Sequence, residues 1–90
     1  MKRIEWSEEK NKRLKRERGV SFEDVVAAYT LYGPLDMIPH PNQRDYPHQH
    51  LIIIRLNDYV YAVPFIYDEE KIFLKTVIPS RKYTKYYLNL

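Results

Sequence analysis

The side chains of this 90-residue chain best suited to chemistry are basic and aromatic. Near the C-terminus Arg81, Lys82 and Lys85 alternate with Tyr83, Tyr86 and Tyr87. In such a composition cations pair with phosphates while rings stack on unpaired bases. The plainer reading is that the tyrosines dock this segment on the domain and the lysines stay solvated. Arg55 stands between Ile54 and Leu56 in an otherwise aliphatic run, where desolvating a guanidinium without a partner is costly. Either a carboxylate meets it, with Glu23 and Asp24 as candidates, or it holds an anion. Strand register carries Arg55 toward Arg81, and two converging guanidiniums repel unless an anion such as a phosphate lies between them.

Other chemistries find less support. His40, His48 and His50 fall close together, but a zinc site needs three or four ligands at about 2.0–2.3 Å. The chain has no cysteine, and Pro39, Pro41 and Pro47 surround the histidines, so solvated loop histidines are the preferred reading. No metal or other cofactor is expected. Nothing resembles a nucleophile elbow, and the two glycines stand at helix ends rather than in a phosphate-cradling loop.

The elements that position these residues can be read from local signals. Ser7 caps a first helix that carries Glu8 and Glu9 in its first turn and Lys15, Arg16 and Arg18 in its last, with Gly19 as a left-handed stop. Nearly every residue between is charged, which makes it a surface helix whose apolar contacts are Trp6, Leu14 and Val20 at its margins. Ser21 and Asp24 form a capping box for a second helix with Phe22, Val25, Val26 and Tyr29 near helical period, ended by Gly33-Pro34. Leu35 to Ile38 is an edge strand blunted by prolines, and residues 39–49 form the longest irregular stretch.

His50 to Leu56, Tyr59 to Tyr67 and Ile72 to Ile78 then read as a β-meander, with turns at Asn57-Asp58 and residues 68–71. Loops of two and four residues set Arg55 opposite Val60 and Val60 opposite Pro79, with Lys75 on the face of Phe73 and Val77. The other face, carrying Ile52, Ile54, Leu56, Tyr61, Val63, Phe65, Leu74 and Ile78, is the predicted core. Pro64 predicts a bulge or bend, and Ser80 caps a short C-terminal helix. The expected fold is α+β: two N-terminal helices packed on a three- to four-stranded antiparallel meander, with a short C-terminal helix.

Length fits one domain. The net charge of +3 is too small to imply nucleic acid by itself, but its distribution is informative. Residues 1–18 hold eight basic side chains against four glutamates, and no acidic residue follows Glu70, so both ends are positive. The absence of cysteine suits a reducing compartment. No apolar run approaches the ~20 residues of a membrane span. A cytoplasmic protein without membrane contact is expected.

Three stretches together resemble a known family: Trp6-Ser7-Glu8-Glu9-Lys10-Asn11, Arg18-Gly19-Val20-Ser21-Phe22-Glu23-Asp24, and Val77-Ile78-Pro79-Ser80-Arg81-Lys82-Tyr83-Thr84. In order and spacing they are similar to the BrnT-like toxins of type II toxin–antitoxin systems. Departures occur at Glu17-Arg18, where the family has Lys-His, and at Pro79-Ser80, where it has Ser-Ala. The resemblance implies a RelE-like ribonuclease fold, RNA cleavage that inhibits translation and growth, and neutralisation by a cognate antitoxin that also binds DNA. A heterotetramer with the antitoxin is compatible with this, and the tyrosine-rich surface separately suits a homodimer. Carried over by position, the family's basic residues fall on Lys10, Arg55 and Arg81.

Metal-independent RNA cleavage needs a base, an acid and cations that stabilise a phosphorane. Arg55 and Arg81 suit the cations, while Lys10, Tyr83, His48 or His50 are candidates to move protons. The expected catalytic set is Arg55, Arg81, Lys10, His50 and Tyr83. Lys12, Arg13, Arg16, Arg18, Lys75, Lys82 and Lys85 are the expected RNA contacts. The rival expectation is a non-catalytic module that binds nucleic acid or protein.

Overall fold

The computed structural model describes residues 2–89. Its elements are β1 (Arg3–Glu5), α1 (Glu8–Arg18), α2 (Phe22–Tyr32), β2 (Asp36–Pro39), β3 (His50–Leu56), β4 (Tyr59–Tyr67), β5 (Lys71–Leu74), β6 (Ile78–Pro79) and α3 (Arg81–Leu88). The strands form one sheet in the order β1-β5-β4-β3-β2, and β6 pairs with β4 beyond the end of β5. The class is α+β, as expected, but the sheet has six strands rather than three or four. The extra N-terminal strand β1 runs parallel to β5, with Arg3 beside Lys71 and Glu5 beside Phe73. All other pairings are antiparallel.

The helix ends follow the sequence signals. The Ser7 hydroxyl accepts from the Lys10 amide at 3.2 Å. Gly19 closes α1 at φ 67°, a left-handed conformation that any side chain would strain. The Ser21 hydroxyl accepts from the Asp24 amide at 3.1 Å, and the Asp24 carboxylate accepts from the Ser21 amide at 3.0 Å, a complete capping box. α1 is anchored more firmly than its charge suggests. Asn11 is fully buried; its Oδ1 accepts from the Phe22 amide at 2.8 Å and its Nδ2 donates to Glu23 Oε1 at 2.7 Å. Leu14 is buried beside it, and Trp6 stacks on Phe22 with ring centroids 5.5 Å apart.

Strand alternation divides the apolar residues between the two faces of the sheet. One face carries Ile52, Ile54, Leu56, Val63, Phe65 and Leu74, and α1 and α2 close over it through Leu14, Phe22 and Val25. The other carries Leu51, Ile53, Val60 and Ala62, against which Ile38 and the α3 residues Tyr83, Tyr87 and Leu88 pack. The third helix thus covers the side opposite the first two, making a three-layer domain. Thr84 fixes it: the buried Thr84 hydroxyl accepts from the Val60 amide at 2.9 Å and donates to the Ser80 carbonyl at 2.7 Å.

The predicted Ile72–Ile78 strand is interrupted. β5 ends where Leu74 faces Phe65, and pairing resumes where Ile78 faces Ala62. Three residues, Lys75 to Val77, therefore oppose two, Val63 and Pro64, which is a bulge. It sits at Pro64, whose carbonyl accepts from the Lys75 amide at 2.7 Å. The extra residue shifts all later pairing by one, so Pro79 faces Tyr61 rather than Val60. It also turns Val77 into the first core, while Ile78, expected there, is 42% exposed.

Candidate nucleic-acid interface

Val60 is the point about which the basic residues of the second face are arranged. On one side Arg55 of β3 is its cross-strand partner. On the other, the Val60 carbonyl accepts from the Ser80 amide at 2.9 Å and its amide donates to Thr84. Arg55 and the start of α3 are therefore separated by one strand, roughly 10 Å between backbones at two strand spacings. Residues 51, 53, 55 and 60 share a face by alternation, so the Arg55 side chain leaves the sheet on the α3 side.

Helix geometry then sorts the residues of α3. Thr84 points down at Val60. Arg81 and Lys85, one turn apart, share one flank, whereas Tyr83 lies about 200° around the axis from Arg81. Tyr83, with Tyr87 and Leu88, packs against the second core. Lys82, Lys85 and Tyr86 are exposed and, with Tyr83, line an open groove on the outer side of α3.

Arg55 does not reach Glu23 or Asp24, the carboxylates considered from sequence, because α2 lies over the other face of the sheet. Its Nε donates to the Asn57 carbonyl at 2.8 Å and its Nη2 pairs with Asp58 at 3.1 Å. Both partners belong to the β3–β4 turn, and the Asp58 side chain is 97% exposed. Arg55 also lines an open depression with Tyr32, Pro34, Leu35 and Asn57. Among the described residues no ion pair involves Arg81, Lys82 or Lys85.

The remaining predicted residues lie elsewhere. Lys10, Lys12, Arg13 and Arg16 are on α1, across the sheet from Arg55. Glu9 is 3.9 Å from Arg13, and Lys15 and Glu23 are 3.8 Å apart. Arg18 donates to the Val77 carbonyl at 2.5 Å, tying the end of α1 to the bulge. Lys75 is exposed within that bulge, with its ammonium 5.7 Å from the Phe73 ring.

His50 sits at the far end of β3 from Arg55 and on the opposite face. Its ring lies 5.8 Å from Phe65 and 5.6 Å from Tyr67, and its Nδ1 is buried without a hydrogen-bond partner among the described residues. His40 is occupied within its loop, accepting from the Asn42 amide at 3.0 Å and packing on Tyr46. Among the described residues no group of three or more His, Asp or Glu side chains is placed to hold a metal, and no helix is long and apolar enough to cross a membrane.

The structure thus places Arg81, Lys82 and Lys85 together on α3, with Arg55 one strand away on the same face of the sheet and held by the β3–β4 turn. It separates Lys10 and His50 from them and uses the Tyr83 ring for packing. Tyr87 is likewise a docking residue: its hydroxyl donates to Asp36 at 3.1 Å, and burial with that neighbouring carboxylate holds its ionisation above the ordinary phenol value. The sequence reading missed Asp58, an unremarkable turn residue whose value lies in facing back along the strand to Arg55. It also gave no role to Thr84, although a hydroxyl four residues after the Ser80 cap is well placed to bond back to its carbonyl. No family model, curated protein or solved structure matches the chain.

Proposed function

We propose that this chain is a ribonuclease toxin of a type II toxin–antitoxin system, gripping an RNA phosphodiester between Arg55 and Arg81. The observation that carries the reading is the double use of Val60, which pairs with Arg55 across the strand and bonds the first turn of α3 along its other edge. In the chemistry proposed, the 2′-hydroxyl attacks the adjacent phosphorus as it loses its proton, the bond to the 5′-oxygen breaks, and that oxygen takes up a proton. The products are a 2′,3′-cyclic phosphate and a 5′-hydroxyl.

The charge that builds on the phosphorane oxygens is what two guanidiniums would stabilise. Lys10 and His50 lie away from Arg55 and Arg81, and the Tyr83 ring is used in packing, so electrostatic stabilisation is the contribution that supports this reading. A DNA-binding antitoxin as partner belongs to the same proposal and rests on the motif resemblance.

Arg55→Ala and Arg81→Ala are each expected to abolish growth arrest on induction while keeping the melting temperature within a few degrees, since both side chains are exposed. Growth arrest by both variants would overturn the site. The dispersal of the proton-transfer candidates favours a second reading, a module that binds RNA without cutting it. Incubating purified protein with RNA in chelator separates the two: a toxin of the proposed kind yields cyclic-phosphate ends, and a binder shifts the RNA and leaves it whole.

A further inference from the structure

Three tyrosines stand on α3, and two of them are explained by packing: Tyr83 and Tyr87 dock on the second core. Tyr86 is not. It is 74% exposed, on the outer side of the helix roughly opposite Thr84. Tyr87 braces it at right angles, with centroids 4.9 Å apart and an interplanar angle of 86°. The ring is flanked by Lys82 one turn earlier and by Lys85, and the three line one groove with Tyr83. The Lys82 ammonium is itself 5.7 Å from the Tyr83 ring. No carboxylate side chain occurs on α3 or anywhere after Glu70.

We propose that Tyr86 is a stacking platform for an unpaired base, with Lys82 and Lys85 holding the flanking phosphates, so that the RNA recognised by this protein is single-stranded. This rests on the RNA reading above and specifies its substrate. A solvent-facing aromatic ring between cations gains by covering its face with a nucleobase, and any base offers such a face. Bases inside a duplex are already stacked on one another, and the surfaces an A-form helix presents are hydroxyls and phosphates. The Arg81–Lys85 row on the flank of α3 adjoins the Lys82–Tyr86 row on its outer side. A strand held at Arg81 therefore continues onto Tyr86 within the next nucleotides.

Tyr86 buries nothing that the fold requires, so Tyr86→Ala, which places a strong helix former on an exposed helix position, is expected to fold as the parent does. The test uses fluorescence anisotropy with 2′-O-methyl RNA, which cannot be cleaved, as an unstructured strand of about ten nucleotides and as the same sequence closed in a duplex. The single strand is expected to bind at least about tenfold more tightly than the duplex. Tyr86→Ala should weaken single-strand binding by about tenfold and leave the salt dependence unchanged, because no cation is lost. Tyr86→Trp should retain it.

If Tyr86→Ala binds the single strand like the parent while Arg81→Ala binds it weakly, stacking is refuted and the RNA reading stands. Equal affinity for strand and duplex also refutes the inference. Binding of neither RNA overturns both.

Discussion

The Arg55 guanidinium is shared between the Asn57 carbonyl and the Asp58 carboxylate, so in the proposed site a phosphate would compete with a neighbour already in place. Because Asp58 is solvent-exposed, the pair contributes about 0–1 kcal/mol, weak enough for the proposed phosphodiester to displace. Asp58→Asn is therefore expected to raise affinity for uncleavable RNA by a few fold, up to about fivefold, as read by anisotropy at low salt. Unchanged affinity would mean that Arg55 does not touch the RNA. At this scale the sequence was only partly legible. An arginine among aliphatic residues does advertise a need for a partner, but which carboxylate answers is decided by a turn only three residues away. The three tyrosines of the final helix look alike in sequence, and only the packing of α3 separates Tyr83 and Tyr87, which dock, from Tyr86, which does not.

Between elements, the joint of α1 and α2 rests on Asn11. Its side chain satisfies the buried Phe22 amide and grips Glu23. The Asn11 hydrogen bond, then the residue's own backbone amide and, more weakly, the Lys15 charge, hold the Glu23 carboxyl below its ordinary value of 4.5 against the opposing effect of desolvation. A carboxylate with a depressed folded-state pKa stabilises the fold above the ordinary value, and that stabilisation fades as pH falls through the folded value. Asn11→Ala is expected to cost about 2 kcal/mol by orphaning the Phe22 amide, lowering the melting temperature by roughly 10 °C. Stability should also fall less steeply between pH 5 and more acid conditions. A variant with the parent's melting temperature would show that the joint is not held this way. Caps and hairpins were readable because their signals are local: Ser7, Gly19, the Ser21–Asp24 box, and Asn57, whose φ of 59° suits a tight turn. β1 was not, since Arg-Ile-Glu is too short to show a period and its partner strand is far along the chain. Pro64 announced a bulge, but its size, and with it the one-residue slip that exchanges Val77 for Ile78 in the core, depends on how β5 leaves the ladder.

Across the whole molecule the sheet separates two basic surfaces that sequence alone treats as one. Lys12, Arg13 and Arg16 project from α1 over the first face, while Arg81, Lys82 and Lys85 belong to α3 over the second. A single bound strand cannot engage both through short-range contacts, and charges separated by more than about 8 Å are largely screened at physiological ionic strength. Replacing Lys12, Arg13 and Arg16 together by Gln should therefore change RNA affinity by less than about threefold and leave the slope of log affinity against log salt nearly intact. Replacing Lys82 and Lys85 should reduce that slope by about one unit per residue. A steep loss on changing α1 would show that the nucleic acid wraps the domain. The layered α+β class was visible in the sequence as two capped helices followed by a meander. The side on which the last helix packs was not, because the alternation of β3 and β4 supplies apolar residues to both faces and does not say which helix takes which.

The pairing of β1 with β5 has a temporal consequence. Arg3 pairs with Lys71, 68 positions later, so β1 cannot dock until β5 has been synthesised. Contacts of such span slow folding. On the toxin reading proposed above, that delay would give the antitoxin time to arrive before the sheet is complete.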